Sequence, residues 1–181
     1  MKKSLVVNLI APPGSGKSTM AANIFAKLKW LGIECELVNE FAKDLVWEDR
    51  TETFKNQVYI FAKQFHKMFR LDGKVDVIIT DSPLILSIYY NNKYCEGKFK
   101  QLNPLVLEQH CNFYNLNFYI NRKKKYSPNG RNQTEEESSL MGIEIKELLE
   151  EYKIYHEEID GTEANVDIIV DRILQSLQDC R

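Results

Sequence analysis

The segment APPGSGKST begins at Ala11, and its residue types suit the binding of phosphate groups. The glycines at positions 14 and 16 allow consecutive backbone N–H groups to converge on an anion. Lys17 has the reach to contact the β- and γ-phosphates of a nucleoside triphosphate, and the Ser18 hydroxyl is a suitable ligand for Mg²⁺. The usual first glycine of such a loop is replaced by Ala11, which is also small. The sequence therefore predicts a site for ATP and Mg²⁺, and the residues predicted to bind the nucleotide are Pro13, Gly14, Ser15, Gly16, Lys17, Ser18 and Thr19.

Asp81 ends the run VDVIITD, which has the pattern of a Walker B strand. A carboxylate at this position can hold Mg²⁺ opposite Ser18, either directly or through water. The alternative is a helix N-cap, because an Asp-Ser-Pro sequence also starts helices well. The two interpretations are compatible if Asp81 binds the metal while Ser82 caps the helix. We therefore predict that Ser18 and Asp81 ligate the metal.

Glu40 is the residue predicted to act as general base. It comes directly after the second predicted strand, Glu34–Asn39. A carboxylate beside the γ-phosphate can orient and deprotonate an acceptor hydroxyl. The other interpretation is a solvated glutamate in a turn, in which case Asp44 or Asp81 would be the base.

The polar and basic segment NRKKKYSPNGRNQ spans residues 121–133 and is predicted to form a lid over about 121–134. Phosphoryl transfer needs positive charge over the transferring group and exclusion of water as the site closes. Arg122 and Arg131 suit this role, because a guanidinium group can bind two phosphate oxygens at once. We predict that both arginines are catalytic. A solvated basic loop is the alternative.

Several other residues allow more than one interpretation. Arg50 and Arg70 are candidates for binding an anionic acceptor, but either is equally compatible with an ordinary surface position, which we favour for Arg70. Trp47 is the aromatic residue best placed to stack on a base, because it lies just beyond Glu40. The histidines are far apart in the sequence and are interpreted as structural: His66, His110 and His156.

Strands and helices alternate along the chain, which predicts a parallel sheet with helices on both faces. The predicted strands are Leu5–Ile10, Glu34–Asn39, Val75–Thr80, Leu116–Ile120 and a short strand within Tyr152–Ile159. The predicted helices are Ser18–Leu31, Thr53–Leu71, one that begins within Pro83–Tyr90, Pro104–Phe113, one that runs from a capping box at Thr134 to about Glu151, and Glu163–Leu177. Ligands bind at the carboxyl ends of the strands in such a sheet, and Glu40, Asp81 and Arg122 all follow predicted strands. The sequence thus predicts an α/β fold with three layers.

The composition places limits on the class of protein. The length of 181 residues, with 44% hydrophobic and 28% charged residues, predicts one soluble globular domain. A formal net charge of −2 does not indicate a general nucleic-acid-binding surface, although a local basic patch is compatible with it. No apolar run approaches the length of a membrane span. The four cysteines are scattered and form no CxxC pair, which favours reduced thiols and a cytoplasmic location.

Together these motifs resemble the nucleotide-kinase branch of the P-loop proteins. The likeness rests on the phosphate loop, Glu40, the Asp81-Ser82-Pro83 sequence and the two lid arginines. More narrowly, the chain resembles the small P-loop kinases encoded by bacteriophages, and the most specific stretches are VNEFAKDLVWE from Val38 and GRNQTEEE from Gly130. The resemblance covers essentially the full length. It implies a three-layer αβα P-loop NTPase fold with a five-stranded parallel sheet and an arginine lid.

The resemblance also implies a function. Such kinases use Mg·ATP, and the phage group includes enzymes that phosphorylate 5-hydroxymethyluracil in DNA during hypermodification of thymine. A DNA acceptor would bring its flipped base toward Glu40, with basic side chains along the backbone. The candidates for this basic track are Lys93, Lys98, Lys100 and Lys123–Lys125. The alternatives are a kinase of free deoxynucleosides or deoxynucleoside monophosphates, and a P-loop ATPase that transfers phosphate only to water.

Overall fold

A parallel sheet of five strands forms the centre of the computed structural model, which describes residues 3–96, 98–126 and 134–179. The strands are β1 Leu5–Ile10, β2 Cys35–Val38, β3 Val77–Thr80, β4 Tyr114–Asn121 and β5 Glu157–Asp160. Their order across the sheet is β2-β3-β1-β4-β5, and every neighbouring pair is parallel. The five-stranded parallel sheet predicted from the sequence is confirmed.

Helices cover both faces of this sheet. They are α1 Lys17–Trp30, α2 Phe41–Trp47, a 3-10 helix Thr51–Lys55, α3 Gln57–Phe69, α4 Leu86–Cys95, α5 Leu102–Cys111, α6 Glu135–Glu151 and α7 Asn165–Asp179. One hydrophobic core lies between the sheet and α1 and α7, and the other lies between the sheet and α3 to α6. Successive residues of β1 point alternately into the two cores, so Val6 packs in one and Val7 in the other. The three-layer αβα architecture is therefore confirmed.

Each strand ends at the same edge of the sheet, because parallel pairing keeps the registers aligned. Val38 of β2 pairs with Thr80 of β3, and Thr80 also pairs with Asn8 of β1. The segments that follow β1, β2 and β3 therefore emerge side by side. This alignment brings together the phosphate loop and the residues after β2 and β3.

The prediction of a single helix over Thr53–Leu71 is wrong, because the helical conformation is interrupted at Asn56. A 3-10 helix precedes this residue and α3 follows it. The backbone of Asn56 has φ −113° and ψ 72°, and its side chain accepts a hydrogen bond from the Tyr59 N–H at 3.2 Å. An asparagine side chain that caps a new helix competes with continuation of the old one. The hydrophobic spacing alone did not reveal this break.

The capping box predicted at the start of α6 is confirmed. The Thr134 hydroxyl accepts from the Glu137 N–H at 3.2 Å, and the Glu137 carboxylate accepts from the Thr134 N–H at 2.7 Å. The short helix α2 was not predicted. Among the described residues, no helix combines the length and apolar character needed to cross a membrane.

Candidate active site

The loop between β1 and α1 has the backbone shape that phosphate binding requires. Gly14 and Gly16 have φ angles of 82° and 95°, a region that residues with a Cβ rarely adopt. The Ser15 hydroxyl donates to the carbonyl of Pro12 at 3.0 Å, which folds the loop back on itself. Helix α1 starts directly afterwards, and the first turn contains no acidic side chain. The N–H groups and the positive end of this helix are therefore suited to bind an anion, because no carboxylate in the first turn of the helix competes for them.

The Lys17 ammonium group lies across the phosphate loop. Its Nζ donates to the carbonyl of Ala11 at 2.7 Å and to that of Pro12 at 3.0 Å. These contacts hold the charge at the loop from which it would reach phosphate oxygens. The position agrees with the role predicted for Lys17.

Asp81 connects the ends of three strands. Its side chain is only 4% exposed. One carboxylate oxygen accepts from the Ser18 hydroxyl at 2.5 Å, and the other accepts from the backbone N–H of Glu40 at 3.1 Å. The two residues predicted to ligate the metal thus lie in direct contact, and the same carboxylate fixes the start of the segment that carries Glu40.

A small hydrogen-bond network behind Asp81 keeps the ends of β2 and β3 together. The Thr80 hydroxyl donates to the Val38 carbonyl at 3.0 Å and accepts from the Ser82 N–H at 3.1 Å. The buried side chain of Gln64 accepts from the Phe41 N–H at 3.0 Å, so α3 supports the first turn of α2. The positions of Glu40 and Asp81 are therefore set in part by Val38, Gln64 and Thr80, which do not line the cleft.

A cleft of about 920 Å³ opens above these strand ends. We name the part formed by the phosphate loop, Asp81, Lys124 and α6 the donor half, and the opposite part the acceptor half. The acceptor half is formed by residues of α2, the 3-10 helix, α3 and α4: Ala42, Lys43, Val46, Thr51, Phe54, Lys55, Gln57, Ile60, Leu86, Tyr90, Lys93 and Tyr94. Glu40 and Asp81 line the cleft where the two halves meet. The volume lies within the range that accommodates a small-molecule ligand.

Glu40 occupies the N-cap position of α2. Burial raises the pKa of Tyr90 well above its ordinary value, and the negative charge of Glu40 raises this pKa further. Both residues line the cleft, Glu40 at the start of α2 and Tyr90 from α4.

Lys124 reaches the donor half, which the sequence analysis did not anticipate. Its Nζ lies 3.5 Å from the Thr19 hydroxyl oxygen. Its Cε lies 3.2 Å from the position that a Cβ on Gly16 would occupy. A cation over the phosphate loop adds to the charge that Lys17 supplies. The basic run around Lys124 was visible in the sequence, but nothing in it distinguished this lysine from its neighbours.

The first turns of α6 are tied to the phosphate loop. The buried Ser138 hydroxyl donates to the Pro13 carbonyl at 2.6 Å. One turn later, the Tyr119 hydroxyl donates to the Gly142 carbonyl at 3.0 Å. A Cβ on Gly142 would lie only 3.1 Å from that hydroxyl and 3.3 Å from Cγ of Pro12, so a larger residue would push the helix away. The close approach of α6 to the loop therefore depends on the hydroxyl of Ser138 and on the absence of a side chain at Gly142.

Arg122 lies beside the main cleft rather than in its lining. It lines a smaller cavity of about 330 Å³ together with Pro12 and Ser139. Its guanidinium group donates to the Ser139 hydroxyl at 3.0 Å and pairs with Glu135 at 3.3 Å. Arg131 and most of the predicted lid lie outside the described residues.

Four other candidates do not line the cleft. Asp44 lies 3.7 Å from the ammonium group of Lys67, and Trp47 is 67% exposed. Arg50 pairs with a neighbouring glutamate at 3.2 Å, and Arg70 is exposed at the end of α3. The three histidines are also absent from the cleft lining. Glu40 and Asp81 are thus the two predicted carboxylates that the fold brings to this cleft.

The proposed basic track is divided between the cleft and the surface. Lys93 lines the cleft and pairs with Glu144 at 2.9 Å. Lys123 pairs with Asp160 at 3.1 Å. The side chains of Lys98, Lys100 and Lys125 are exposed.

The donor atoms at Ser18 and Asp81 fit Mg²⁺. Hydroxyl and carboxylate oxygens are the ligands that this hard cation prefers, and Mg²⁺ is commonly held by one or two protein oxygens together with phosphate oxygens and water. Within the described residues there is no cluster of three or more His, Cys, Asp and Glu side chains that would enclose a metal by itself. The arrangement therefore suits a metal that enters with a nucleotide.

Comparisons with known proteins agree with the fold. The family model AAA_28, described as an AAA domain, matches residues 6–164. A crystal structure of NadR protein in complex with NR is similar with a TM-score of 0.72 at 15% identity, covering 95% of this chain and 50% of the NadR chain. A crystal structure of NadR protein in complex with NAD and AMP-PNP gives a TM-score of 0.69 at 14% identity, covering 95% of this chain and 49% of that one. The chain thus spans about half the length of the NadR chains it matches. No curated protein sequence matches the chain.

Proposed function

The chain belongs to the AAA_28 family of AAA domains and has a P-loop nucleotide-binding fold, and on this basis we propose that it is an ATP-dependent phosphotransferase of the nucleotide-kinase type. The observation that carries the proposal is the meeting of Ser18, Asp81 and Glu40 at the centre of one cleft. A phosphate loop alone supports only nucleotide binding. A second carboxylate facing a separate acceptor half supports transfer to another molecule.

In the proposed reaction, the phosphate loop and Lys17 bind the triphosphate of ATP. The N–H groups of the loop and the N-terminus of α1 hold the phosphates, and Lys17 and Lys124 offset negative charge at the transferring group. Ser18 and Asp81 would hold Mg²⁺, which neutralises charge on the phosphate oxygens and orients them. Arg122 and Arg131 are retained as proposed lid arginines on the basis of the sequence.

Glu40 is the proposed general base on the acceptor side. It accepts the proton of the acceptor hydroxyl while that oxygen forms a bond to the γ-phosphorus. The bond from the γ-phosphorus to the β–γ bridging oxygen breaks, and ADP leaves with the electron pair. Asp81 is less suited to this role because it is the proposed metal ligand, and Asp44 lies outside the cleft lining.

The specific acceptor that we propose is the hydroxymethyl group of 5-hydroxymethyluracil in phage DNA. Support comes from the resemblance of the segments beginning at Val38 and Gly130 to phage-encoded kinases. The cleft volume of about 920 Å³ is also sufficient for a nucleotide and a base together. A kinase of free deoxynucleosides or deoxynucleoside monophosphates is the second candidate, because the same cleft is open to a small acceptor.

Transfer of labelled γ-phosphate from ATP to a panel of acceptors tests the proposal. The panel contains hydroxymethyluracil DNA, ordinary DNA, deoxynucleosides and deoxynucleoside monophosphates. We expect labelled product with hydroxymethyluracil DNA and none with ordinary DNA. Product only with free nucleosides or nucleotides would select the second candidate. ATP hydrolysis that none of the acceptors changes, without labelled product, would favour the ATPase and overturn the kinase proposal.

A further inference from the structure

The acceptor half of the cleft combines aromatic walls with paired charges, and from this we propose that it is a subsite for a neutral planar heterocycle that carries a hydroxyl arm. The inference rests on the proposed function, because it assigns the acceptor of that reaction. Both a free nucleoside and a base displaced from a DNA strand have this chemistry. A phosphate-bearing end of the acceptor is not what the subsite recognises.

Three aromatic side chains line this half: Phe54 from the 3-10 helix and Tyr90 and Tyr94 from α4. The rings of Tyr90 and Tyr94 are stacked, with centroids 6.1 Å apart and planes 7° from parallel. Because they lie one helical turn apart, they form a continuous aromatic surface along the cleft. Such surfaces bind nucleobases by stacking.

Phe54 is held in place by a buried residue. The Gln57 side chain is 2% exposed and donates from Nε2 to the Phe54 carbonyl at 2.9 Å. This contact fixes the backbone at Phe54, whose ring lines the cleft. The aliphatic residues of this half are Val46, Ile60 and Leu86. These surroundings favour a flat apolar face over a charged group.

Two of the three lysines that line this half, Lys55 and Lys93, already have carboxylate partners, and Lys43 is the third. Lys55 pairs with Glu52 at 2.6 Å. Lys93 pairs with Glu144 at 2.9 Å and also donates to the Tyr89 hydroxyl at 2.7 Å. The Tyr89 hydroxyl is itself hydrogen-bonded to Glu144. A phosphate bound here would have to compete with these carboxylates, whereas a neutral ring leaves the pairs intact.

The position of Tyr90 links the ring subsite to the site of transfer. Tyr90 and Glu40 line the same cleft, and the backbone N–H of Glu40 donates to Asp81 beside the phosphate loop. We therefore expect a heterocycle stacked beside Tyr90 to direct its hydroxyl arm toward Glu40, and from there toward the phosphate loop. The ring is held by the acceptor half while the proton and phosphoryl group move at its border with the donor half.

The experiment compares Phe54→Leu with Phe69→Leu as a matched control. Both substitutions remove an aromatic ring and retain an aliphatic side chain, but Phe69 is 62% exposed and does not line the cleft. Binding is measured calorimetrically in the presence of a non-hydrolysable ATP analogue. The probes are 5-hydroxymethyl-2′-deoxyuridine, a single-stranded oligonucleotide that contains 5-hydroxymethyluracil, thymidine, thymidine monophosphate and 2-deoxyribose. Tyr94→Leu serves as a second variant, and thermal unfolding checks that each variant is folded.

We expect at least one ring-bearing probe to bind, and the ring-free 2-deoxyribose not to bind. Phe54→Leu and Tyr94→Leu should weaken binding of that probe by about tenfold, as the loss of one stacking contact predicts, while Phe69→Leu leaves it within twofold. The monophosphate should bind no more tightly than thymidine. Comparison of the dissociation constants of the nucleoside and the oligonucleotide shows whether the subsite prefers a free nucleoside or a base displaced from a DNA strand.

The inference fails if Phe54→Leu and Phe69→Leu have the same effect in folded protein, if 2-deoxyribose binds as well as the ring-bearing probes, or if the monophosphate binds much more tightly than thymidine. These outcomes concern binding and are separate from the reaction. Ring-dependent binding without phosphoryl transfer would leave the subsite intact and overturn the kinase proposal instead. Phosphoryl transfer to acceptors whose binding does not depend on a ring would support the kinase proposal and overturn the ring subsite.

Discussion

Replacement of Glu40 by glutamine is expected to abolish most of the phosphoryl transfer while leaving the cleft intact. The side-chain amide has nearly the same shape as the carboxylate, but it cannot accept the proton of an acceptor hydroxyl. The backbone N–H of residue 40 still donates to Asp81, a contact of 3.1 Å that does not depend on the side chain. The start of α2 and the metal-binding pair should therefore stay in position.

The expected changes in turnover and in ATP affinity differ, because the side chain of Glu40 is the proposed base whereas its backbone N–H contacts Asp81. Loss of a positioned general base typically lowers a rate by about 10²- to 10⁴-fold. We expect turnover to fall at least about a hundredfold, which corresponds to about 2.7 kcal/mol of activation free energy. In the proposed site ATP is bound by the phosphate loop and by Ser18 and Asp81, so its dissociation constant should change by less than about twofold, or 0.4 kcal/mol.

The assay is transfer of labelled γ-phosphate to the best acceptor of the panel, with ATP affinity measured separately by calorimetry. Asp44→Asn is the matched control, because it makes the same change of acid to amide one helical turn away and outside the cleft lining. A Glu40→Gln enzyme with turnover within threefold of wild type would refute the assignment of the base. An equal loss in Asp44→Asn would show that the effect is not specific to position 40.

Three further predictions concern stability and are checked by urea unfolding. Asn56→Ala removes the side-chain cap of α3 and should cost about 1 kcal/mol, whereas an unchanged midpoint would contradict the role of the cap. Ser138→Ala leaves the Pro13 carbonyl without its hydroxyl donor and should cost about 1–3 kcal/mol as well as weaken ATP binding; loss of stability with unaltered ATP affinity would argue against coupling of α6 to the loop. Burial lowers the pKa of His110 from 6.5 to about 4, so the unfolded chain binds a proton that the folded chain does not between these pH values. The free energy of unfolding should therefore fall by about 2 kcal/mol between pH 7 and pH 5, and His110→Gln should remove most of that dependence; a wild-type stability that is flat over this range would contradict it.

The strand ends of this protein could be predicted from its sequence because their signals are local. The apolar run before Asp81 marks a buried parallel strand, and the strand before Glu40 is buried at its two ends, so the polar residues directly after both strands must lie at the carboxyl edge. The capping box at Thr134 is likewise a pattern of four residues. Predictions of this kind require no knowledge of which distant segments meet.

The acceptor half could not be predicted in the same way. Phe54 and Tyr90 are far apart in sequence, and only the packing of the 3-10 helix, α3 and α4 brings them to the same cleft. Trp47 is predicted to stack on a base because it lies just beyond Glu40 in the sequence. Its position at the end of α2 instead places it on the surface, where it is 67% exposed. The helical spacing over residues 53–71 also concealed the break at Asn56, because a capping side chain does not alter the pattern of apolar residues.

The shared use of Asp81 has a consequence for how the two proposed substrates affect each other's binding. One carboxylate oxygen contacts Ser18, which would accompany the metal, and the other contacts the backbone N–H of Glu40, the proposed base. A ligand that draws Asp81 toward the phosphate loop would therefore also act on Glu40 at the acceptor side. Coupling of this kind is reciprocal by thermodynamics, so we expect each substrate to change the affinity of the other by the same factor. Its signature would be synergy between donor and acceptor that depends on one buried side chain, Asp81.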